Sequence, residues 1–341
     1  MVLLDRGDAR NNRTEAQRQT GGASMAGIRI GISGWRYEPW RKTFYPEDLT
    51  QKRELEYASR QLNSIEINSS FYSLQRPCSW KQWYAETPKD FVFSVKGSRY
   101  ITHMRRLKEI DEPLANFYAQ GVLALNEKLG PFLWQFPPNF KYDRERLARF
   151  FEKLPRDMKE AARLAKKHTA FMKGRTFIET EKNHRLRHAI EIRHESFKTP
   201  EFVELLRKQD VALVVADTAG KWPFFEDLTS DFVYARLHGD EQLYVSGYTP
   251  KALDAWADRV RAWLKGSEIA GAEHASKKPP RKLKSRDVHL YFDNDVKVRA
   301  PFDAIGLSQR VGGYLPNPLP TSPPEGLPGD ARASWPIVSR K

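Results

Sequence analysis

A single cysteine, Cys78, occurs in the 341 residues of the chain. That excludes an intramolecular disulfide and sets the expectation of a reducing compartment. Long apolar runs are also missing: the longest strand-like one, 211–216, falls far short of the roughly 18 residues of a membrane-spanning helix. The first residues include Asp5, Arg6, Asp8, Arg10 and Arg13 with no apolar stretch of about 7–15 residues, which argues against a secretory signal. These absences predict a soluble, cytoplasmic protein with no membrane partner. Familiar catalytic signatures are absent too. There is no HExxH or CxxC metal spacing, no P-loop and no Rossmann fingerprint. Gly31-Ile-Ser33-Gly34 is not a nucleophile elbow, which needs a residue between the serine and the glycine.

What is present is apolar material in short pieces. Hydrophobic residues make up 40% of the chain, with 9 Trp and 19 Phe, enough for a substantial core. Eight short apolar runs, at 28–32, 64–67, 91–95, 132–134, 189–192, 211–216, 232–235 and 288–292, each end abruptly in polar residues. Amphipathic, helix-like segments separate most of them. Parallel strands buried on both faces read as continuous apolar runs, and their alternation with helices implies βαβ units. Eight such units make a single (β/α)8 TIM-like barrel, whose functional groups gather at the C-terminal strand ends. A doubly wound open sheet gives the same alternation, but it calls for a Gly-rich first turn that is missing here.

The expected strands are 28–33, 64–67, 91–95, 131–136, 188–193, 211–216, 232–237 and 287–292. The expected helices are 51–61, 77–85, 112–128, 143–153, 156–168, 200–208, 250–265 and 301–308. Residues 1–26 are polar and read as a disordered extension, with Met25 the expected natural start. The barrel is expected over 27–312, with 266–286 a basic insertion loop, and 313–341 as a Pro-rich tail that is PPII-like or disordered.

The formal net charge is +14. Much of it lies in two clusters. Residues 277–286 hold Lys277, Lys278, Arg281, Lys282, Lys284 and Arg286, and residues 156–188 include Lys166, Lys167, Lys173, Arg175, Arg185 and Arg187. A basic surface attracts polyanions and steers anionic substrates; the plainer reading of each cluster is a solvated loop.

Strand alternation picks out the candidate site. In strand two Glu66 and Asn68 share one face while Ile65 and Ile67 share the other. Helices cover the outside of a barrel, so the polar pair should point inward. Strand five repeats this with Glu191 and Arg193, strand seven with Arg236 and His238, and strand three with Ser94 and Lys96. Buried charges cost several kcal/mol unless paired, so these residues form either a structural ion-pair network or a site. As a site, Glu66, Lys96, Glu191 and His238 are the catalytic candidates: two carboxylates for acid and base, a lysine to bind an anion or form a Schiff base, and a histidine to shuttle protons. Arg193 and Arg236 suit bidentate phosphate or carboxylate recognition. His194 suits proton transfer or ligand contact, and Gln135 and Asn294 would orient hydroxyls or a carbonyl. Trp35 and Tyr72, among the aromatics expected at the mouth, are the likelier ring-stacking contacts, with Asn68 beside them. Glu66, Glu191, His238 and Asp293 would also suit a divalent ion by residue type, and His184 and His188 stand four apart; no metal is assigned, and the cofactor is left unknown.

The ordered motifs Gly31-Ile-Ser-Gly-Trp35-Arg-Tyr37, Phe44-Tyr45-Pro46, Ile65-Glu66-Ile-Asn68-Ser-Ser-Phe71-Tyr72, Phe93-Ser-Val-Lys96 and Ile101-Thr102-His103 continue along the chain. They are followed by Leu129-Gly130-Pro131, Gln135-Phe136-Pro137-Pro138, Glu191-Ile-Arg193-His194, Arg236-Leu-His238-Gly239 and Tyr291-Phe-Asp293-Asn294-Asp295. Over roughly residues 28–310 the chain resembles the DUF72 (YecE-like) family of uncharacterised bacterial and archaeal proteins. The resemblance implies a TIM barrel and a mouth site but no settled activity. Glu195 stands where that pattern commonly has proline. Three classes of function stay open. The first is an enzyme acting on an anionic, phosphorylated sugar or nucleotide, the second a nucleic-acid binder or nuclease-like enzyme, and the third a non-catalytic ligand-binding barrel.

Overall fold

The computed structural model describes residues 27–244, 246–294 and 298–312; the expected extension 1–26, Met25 within it, and the tail 313–341 lie outside the described residues. Apolar strands flanked by helical segments have two faces to bury, and here the sheet does so by closing on itself. β1 (Ile28–Ser33), β2 (Ser64–Ile67), β3 (Val92–Lys96), β4 (Leu129–Gln135), β5 (His188–Glu191), β6 (Ala212–Asp217), β7 (Phe232–Leu237) and β8 (Asp287–Phe292) pair in sequence order, all parallel. β1 closes the ring on β8, with Ile28 opposite Val288 and Ile32 opposite Phe292. The expected barrel is the observed one.

Alternation sorts the two sides of the wall. Ile30, Ile32, Ile65, Ile67, Trp134, Ile190 and Leu290 point outward into a continuous core beneath the helices. Inside, Leu133, Ala189, Ala212, Val214, Ala216, Phe232, Tyr234 and Tyr291 form a separate cluster. The alanines on β5 and β6 leave room for the tyrosines of β7 and β8, whose rings meet at 5.3 Å.

Surrounding the barrel are α1 (Glu54–Gln61), α2 (Ser69–Tyr72), α3 (Pro77–Glu86), α4 (Asp111–Ala119), α5 (Arg144–Lys153), α6 (Met158–Ala165), α7 (Pro200–Gln209), α8 (Pro250–Leu264) and α9 (Ala300–Arg310). Their starts follow local chemistry. Asp143, Asp157, Thr199 and Thr249 accept hydrogen bonds from the first-turn amides of α5, α6, α7 and α8, and Pro77, Pro200 and Pro250 occupy first-turn positions that need no amide donor. None of the helices among the described residues is long and apolar enough to cross a membrane.

The structure departs from expectation in three places. The helix expected over 112–128 breaks after Ala119, because Gly121 adopts φ +108° and packs where a Cβ would stand 2.8 Å from Pro77 Cα. A 3-10 segment, Val122–Lys128, replaces its second half. β5 ends at Glu191, so Arg193 lies beyond the ladder. Two short elements at the mouth carry no periodic signal: α2, and a single π-helical turn at Tyr100–Met104.

Gly31 in β1 is fixed by closeness rather than by its torsions, since a Cβ there would stand 1.8 Å from the Ser64 carbonyl oxygen. Gly31→Ala must push β1 and β2 apart and is expected to destabilise the fold by about 3 kcal/mol or more. Gly27→Ala, where the added carbon would meet Asp287 Oδ1 at an ordinary 3.5 Å, is the tolerated control. Urea unfolding of the two variants measures this, and equal midpoints would refute the steric account.

Candidate functional site at the barrel mouth

The interior becomes polar toward the C-terminal strand ends. The Tyr234 hydroxyl on β7 donates to Glu66 Oε2 at 2.5 Å, and Ser94 on β3 lies 2.7 Å from the same hydroxyl. Burial and the Glu66 carboxylate push the Tyr234 phenol well above its ordinary value, so it remains a donor.

Above this step the Arg236 guanidinium spans the barrel, completely buried. One terminal nitrogen donates to Glu191 Oε2 at 2.7 Å. The other reaches Glu66 Oε1 at 2.9 Å, Asp293 Oδ2 at 2.8 Å and Ser33 Oγ at 3.2 Å. Ser33 in turn donates to Glu66 Oε1 at 2.9 Å. Arg193 donates through Nε to Glu191 Oε1 at 2.9 Å, stacks 3.8 Å over the Trp222 ring and reaches the Tyr244 hydroxyl at 3.3 Å. Burial alone would raise the Glu191 carboxyl, but the guanidiniums of Arg193 and Arg236 outweigh it and hold it well below the usual carboxylate range. Asp293 is likewise held low by Arg236 and His238 against the opposing effect of burial.

His238 Nε2 lies 3.4 Å from an Arg236 nitrogen that donates toward it, which places the imidazole proton on Nδ1. Nδ1 is 3.0 Å from Asp293 Oδ2 but off the line a hydrogen bond needs, leaving a close polar contact. Burial and Arg236 lower the His238 pKa and keep the ring neutral.

Lys96 closes β3 beside this cluster. Its Nζ has neither a carboxylate within 4.0 Å nor a hydrogen-bond partner among the described residues, and stands 4.6 Å over the Phe71 ring. Burial and then Arg236 pull its pKa down to about 8, against the opposing pull of Glu66, Asp293 and Glu191. His103, its ring 5.1 Å from Phe71 and its Nδ1 2.9 Å from the Thr102 hydroxyl, is lowered to about 4 by burial and by Lys96 and Arg193.

Glu66, Glu191, Arg193, Arg236 and His238 therefore converge with Lys96 alongside, and the remaining candidates divide. Asn68 sits at the end of β2 with its Oδ1 buried and unpartnered. Gln135 is buried at the end of β4, opposite Glu191 in register. Tyr72 is exposed at the mouth with Arg99 over its ring. Trp35 is instead packed edge-on against Trp83, 5.4 Å away. His194 caps the turn Glu195–Phe197, its Nδ1 accepting from the Ser196 amide at 3.1 Å. Asn294 donates to Asp303 Oδ2 at 2.8 Å and to the Ser246 carbonyl, which makes it a loop anchor. The carboxylates grouped by type for a divalent ion do meet, but around the guanidinium of Arg236 that fills the space between them. His184 and His188 separate: His188 is buried against the Pro155 carbonyl and Trp134. No cluster of three or more metal-ligating side chains occurs among the described residues. Ser33, Tyr234 and His103 were not singled out as candidates, although Ser33 and Tyr234 lie on the inward face by the same alternation. Trp222 and Tyr244 come from irregular loops that carry no such signal.

A closed parallel barrel of eight strands with helices between them defines a TIM-barrel protein, with one charged layer at the C-terminal mouth and a second polar group, Arg187, Asp287 and His289, at the opposite end. The chain belongs to the family described as "Protein of unknown function DUF72", whose model matches residues 29–326. It is 31% identical over 126 residues to the UPF0759 protein YunF of Bacillus subtilis, a match covering 36% of this chain and 44% of that protein. It is 27% identical over 113 residues to the UPF0759 protein YecE of Escherichia coli K12, covering 33% and 39%. The matched stretches thus span less than half of these relatives. Among solved structures, the DUF72 family protein TM1631 of Thermotoga maritima superposes with a TM-score of 0.63 at 22% identity, over 84% of this chain and 99% of that one. The DUF72 family protein EF0366 of Enterococcus faecalis gives 0.61 at 17%, over 86% and 99%. These likenesses show the fold.

Removing one partner of a buried ion pair leaves uncompensated charge and typically costs about 3–5 kcal/mol. Arg236→Met strands Glu66 and Asp293 and leaves Glu191 with Arg193 alone, so a loss within or above that range is expected in urea unfolding at pH 7. A loss under about 1 kcal/mol would mean that water or protons replace the guanidinium readily, and the network would not be what organises the mouth.

Proposed function

We propose that the chain is an enzyme acting on an anionic small molecule, a phosphorylated sugar or nucleotide, at the C-terminal mouth of the barrel. The observation that carries this reading is Lys96. An ammonium taken out of water costs several kcal/mol, and the cation–π contact with Phe71 returns part of that, on the order of 2 kcal/mol. Arg236 in the same layer holds three carboxylates on its terminal nitrogens; Lys96 has none within 4.0 Å among the described residues and is left to attract a counter-ion from solution. A phosphate or carboxylate seated on Nζ would complete its shell and bring the rest of the ligand against His103, Asn68 and Gln135.

In this reading the roles separate. Arg236, Glu66, Glu191 and His238 hold a rigid charge template whose field fixes the ligand's orientation. Lys96 binds the anion or steadies negative charge that develops on it. His103 is neutral at pH 7; the Thr102 hydroxyl donates to the Ser98 carbonyl and so accepts from His103 Nδ1–H, which leaves Nε2 as the proton acceptor. The lone cysteine and the lack of a spanning helix among the described residues support a cytoplasmic setting.

Lys96→Met keeps the bulk and removes the charge. Binding of ribose 5-phosphate, followed by calorimetry, is expected to weaken by about 30-fold or more, in line with the loss of one charge-assisted contact. The melting temperature should hold or rise, because the folded pKa of Lys96 lies below the usual 10.5. The folded state is then penalised wherever the lysine is charged in both states, fully below about pH 8 and progressively less as the pH rises from there. A variant that binds normally, or that simply unfolds, counts against the reading.

The pH profile offers an independent check. Only the protonated amine attracts an anion, so affinity should be level between pH 6.5 and 7.5. Above about pH 8 it should fall by about tenfold per unit. A level profile to pH 9.5 would remove Lys96 from the binding step.

A further inference from the structure

Beside the Lys96 site lies a cavity of about 390 Å³, within the usual range for small-molecule pockets. Its walls include Tyr72, Tyr100 and Phe171, which are 65%, 46% and 68% exposed. With Met104 they are the exposed large hydrophobic side chains of the described residues. Three rings around one hollow expose apolar area that folding would ordinarily bury, and flat aromatic walls suit a flat ligand.

The charges around the hollow are arranged to match. The Arg99 guanidinium lies 5.6 Å over Tyr72, and that of Arg175 lies 5.9 Å over Phe171. Phe171 belongs to the basic stretch containing Lys166, Lys167 and Lys173, none of which has a carboxylate within 4.0 Å among the described residues. Glu112 forms part of the lining and also has no ion-pair partner among the described residues. A carboxylate inside an otherwise basic, aromatic hollow repels a phosphate but accepts from an exocyclic amine. The cavity and Lys96 are joined by structure: Phe71 lies under Nζ and meets the Tyr72 ring at 5.0 Å, and Ser98, two residues beyond Lys96, lines the hollow.

We propose that this cavity is a nucleobase subsite: an amino-bearing base stacks among Tyr72, Tyr100 and Phe171 with its amine toward Glu112, while its phosphate is held at Lys96. The inference rests on the Lys96 reading and narrows the ligand class from anionic small molecules to nucleotides. The same chemistry, a base next to a phosphate, occurs in a free nucleotide and at an end of single-stranded nucleic acid.

The test is calorimetric binding of AMP, ribose 5-phosphate, inorganic phosphate and hexa-adenylate to the full chain, to the double variant Tyr72→Ala/Phe171→Ala, and to Lys96→Met. Both ring positions are exposed, so the double variant should fold. Base–aromatic stacking predicts that the intact chain binds AMP about 10-fold or more tighter than ribose 5-phosphate. The double variant should bring AMP down to the level of ribose 5-phosphate without changing the latter, and Lys96→Met should weaken both. Equal affinities in the intact chain, or a preference for AMP that survives the double variant, would overturn the subsite and leave the Lys96 reading standing. If no phosphorylated probe binds, both fall. Hexa-adenylate distinguishes the two sources of the base. Tighter, steeply salt-dependent binding that Lys166→Glu and Lys173→Glu reduce would support the subsite as the seat of a nucleic-acid end. Affinity equal to that of AMP would support it as a site for the free nucleotide.

Discussion

A buried guanidinium must find its counter-charges inside the protein, and Arg236 finds them on strands from both sides of the ring. It reaches Ser33 at the end of β1, Glu66 on β2, Glu191 on β5 and Asp293 just past β8, all from β7. Lower in the barrel the interior is held by apolar contact, by two tyrosines and, at the strand starts, by Arg187 with Asp287 and His289. At the mouth, dispersion gives way to electrostatics: Glu66, Glu191, Asp293, Arg193 and Arg236 meet there. Replacing such a network by apolar residues is often neutral or favourable for stability, so its presence is better explained by what it fixes than by what it adds. It sets the positions of the strand ends, and every residue of the candidate site is read relative to them.

Much of this was legible because a strand's period is two. Once helices cover one face, Glu66, Glu191 and Arg236 have nowhere to point but inward, and that holds without knowledge of any contact. The same rule reaches Ser33 and Tyr234. What period two does not supply is stagger. Which carboxylate meets which guanidinium depends on how far neighbouring strands are offset, so the gathering of Asp293, Glu66 and Glu191 on Arg236 was not readable, nor was the retreat of Asn294 to Asp303. Loop-borne partners were out of reach for a different reason. Trp222 and Tyr244 sit in irregular backbone with no repeating pattern, and the turn that carries Phe71 is too short to show one.

Charge counting misled in a similar way. Arg286 reads as part of a solvated basic run, yet it is buried and donates to the carbonyls of Ser230, Gly266 and Arg281. Lys128 spends its ammonium on the backbone of Tyr84 and Thr87. Each of these cations ties separate segments together through backbone carbonyls, so neither is displayed at the surface for a partner to meet. The cations around Phe171 differ in kind: they have no carboxylate partners among the described residues and lie next to exposed rings.

Lys96 and Arg236 occupy the same layer and meet opposite fates, and the difference lies in geometry. The planar fork of Arg236 divides its donors among several acceptors at once, which a single ammonium on a flexible stem does less well. The carboxylates that act on Lys96 are already committed to the two arginines, and the Phe71 ring covers one side of Nζ. Phe71 is held there by the strand that carries the lysine: the Ser70 hydroxyl donates to the Lys96 carbonyl at 2.7 Å, docking α2 onto β3. The backbone of Lys96 and the short helix that carries Phe71 and Tyr72 are therefore tied to each other. On the proposed reading, a ligand that engages the charge would meet rings that folding has already placed beside it, which lowers the conformational cost of binding.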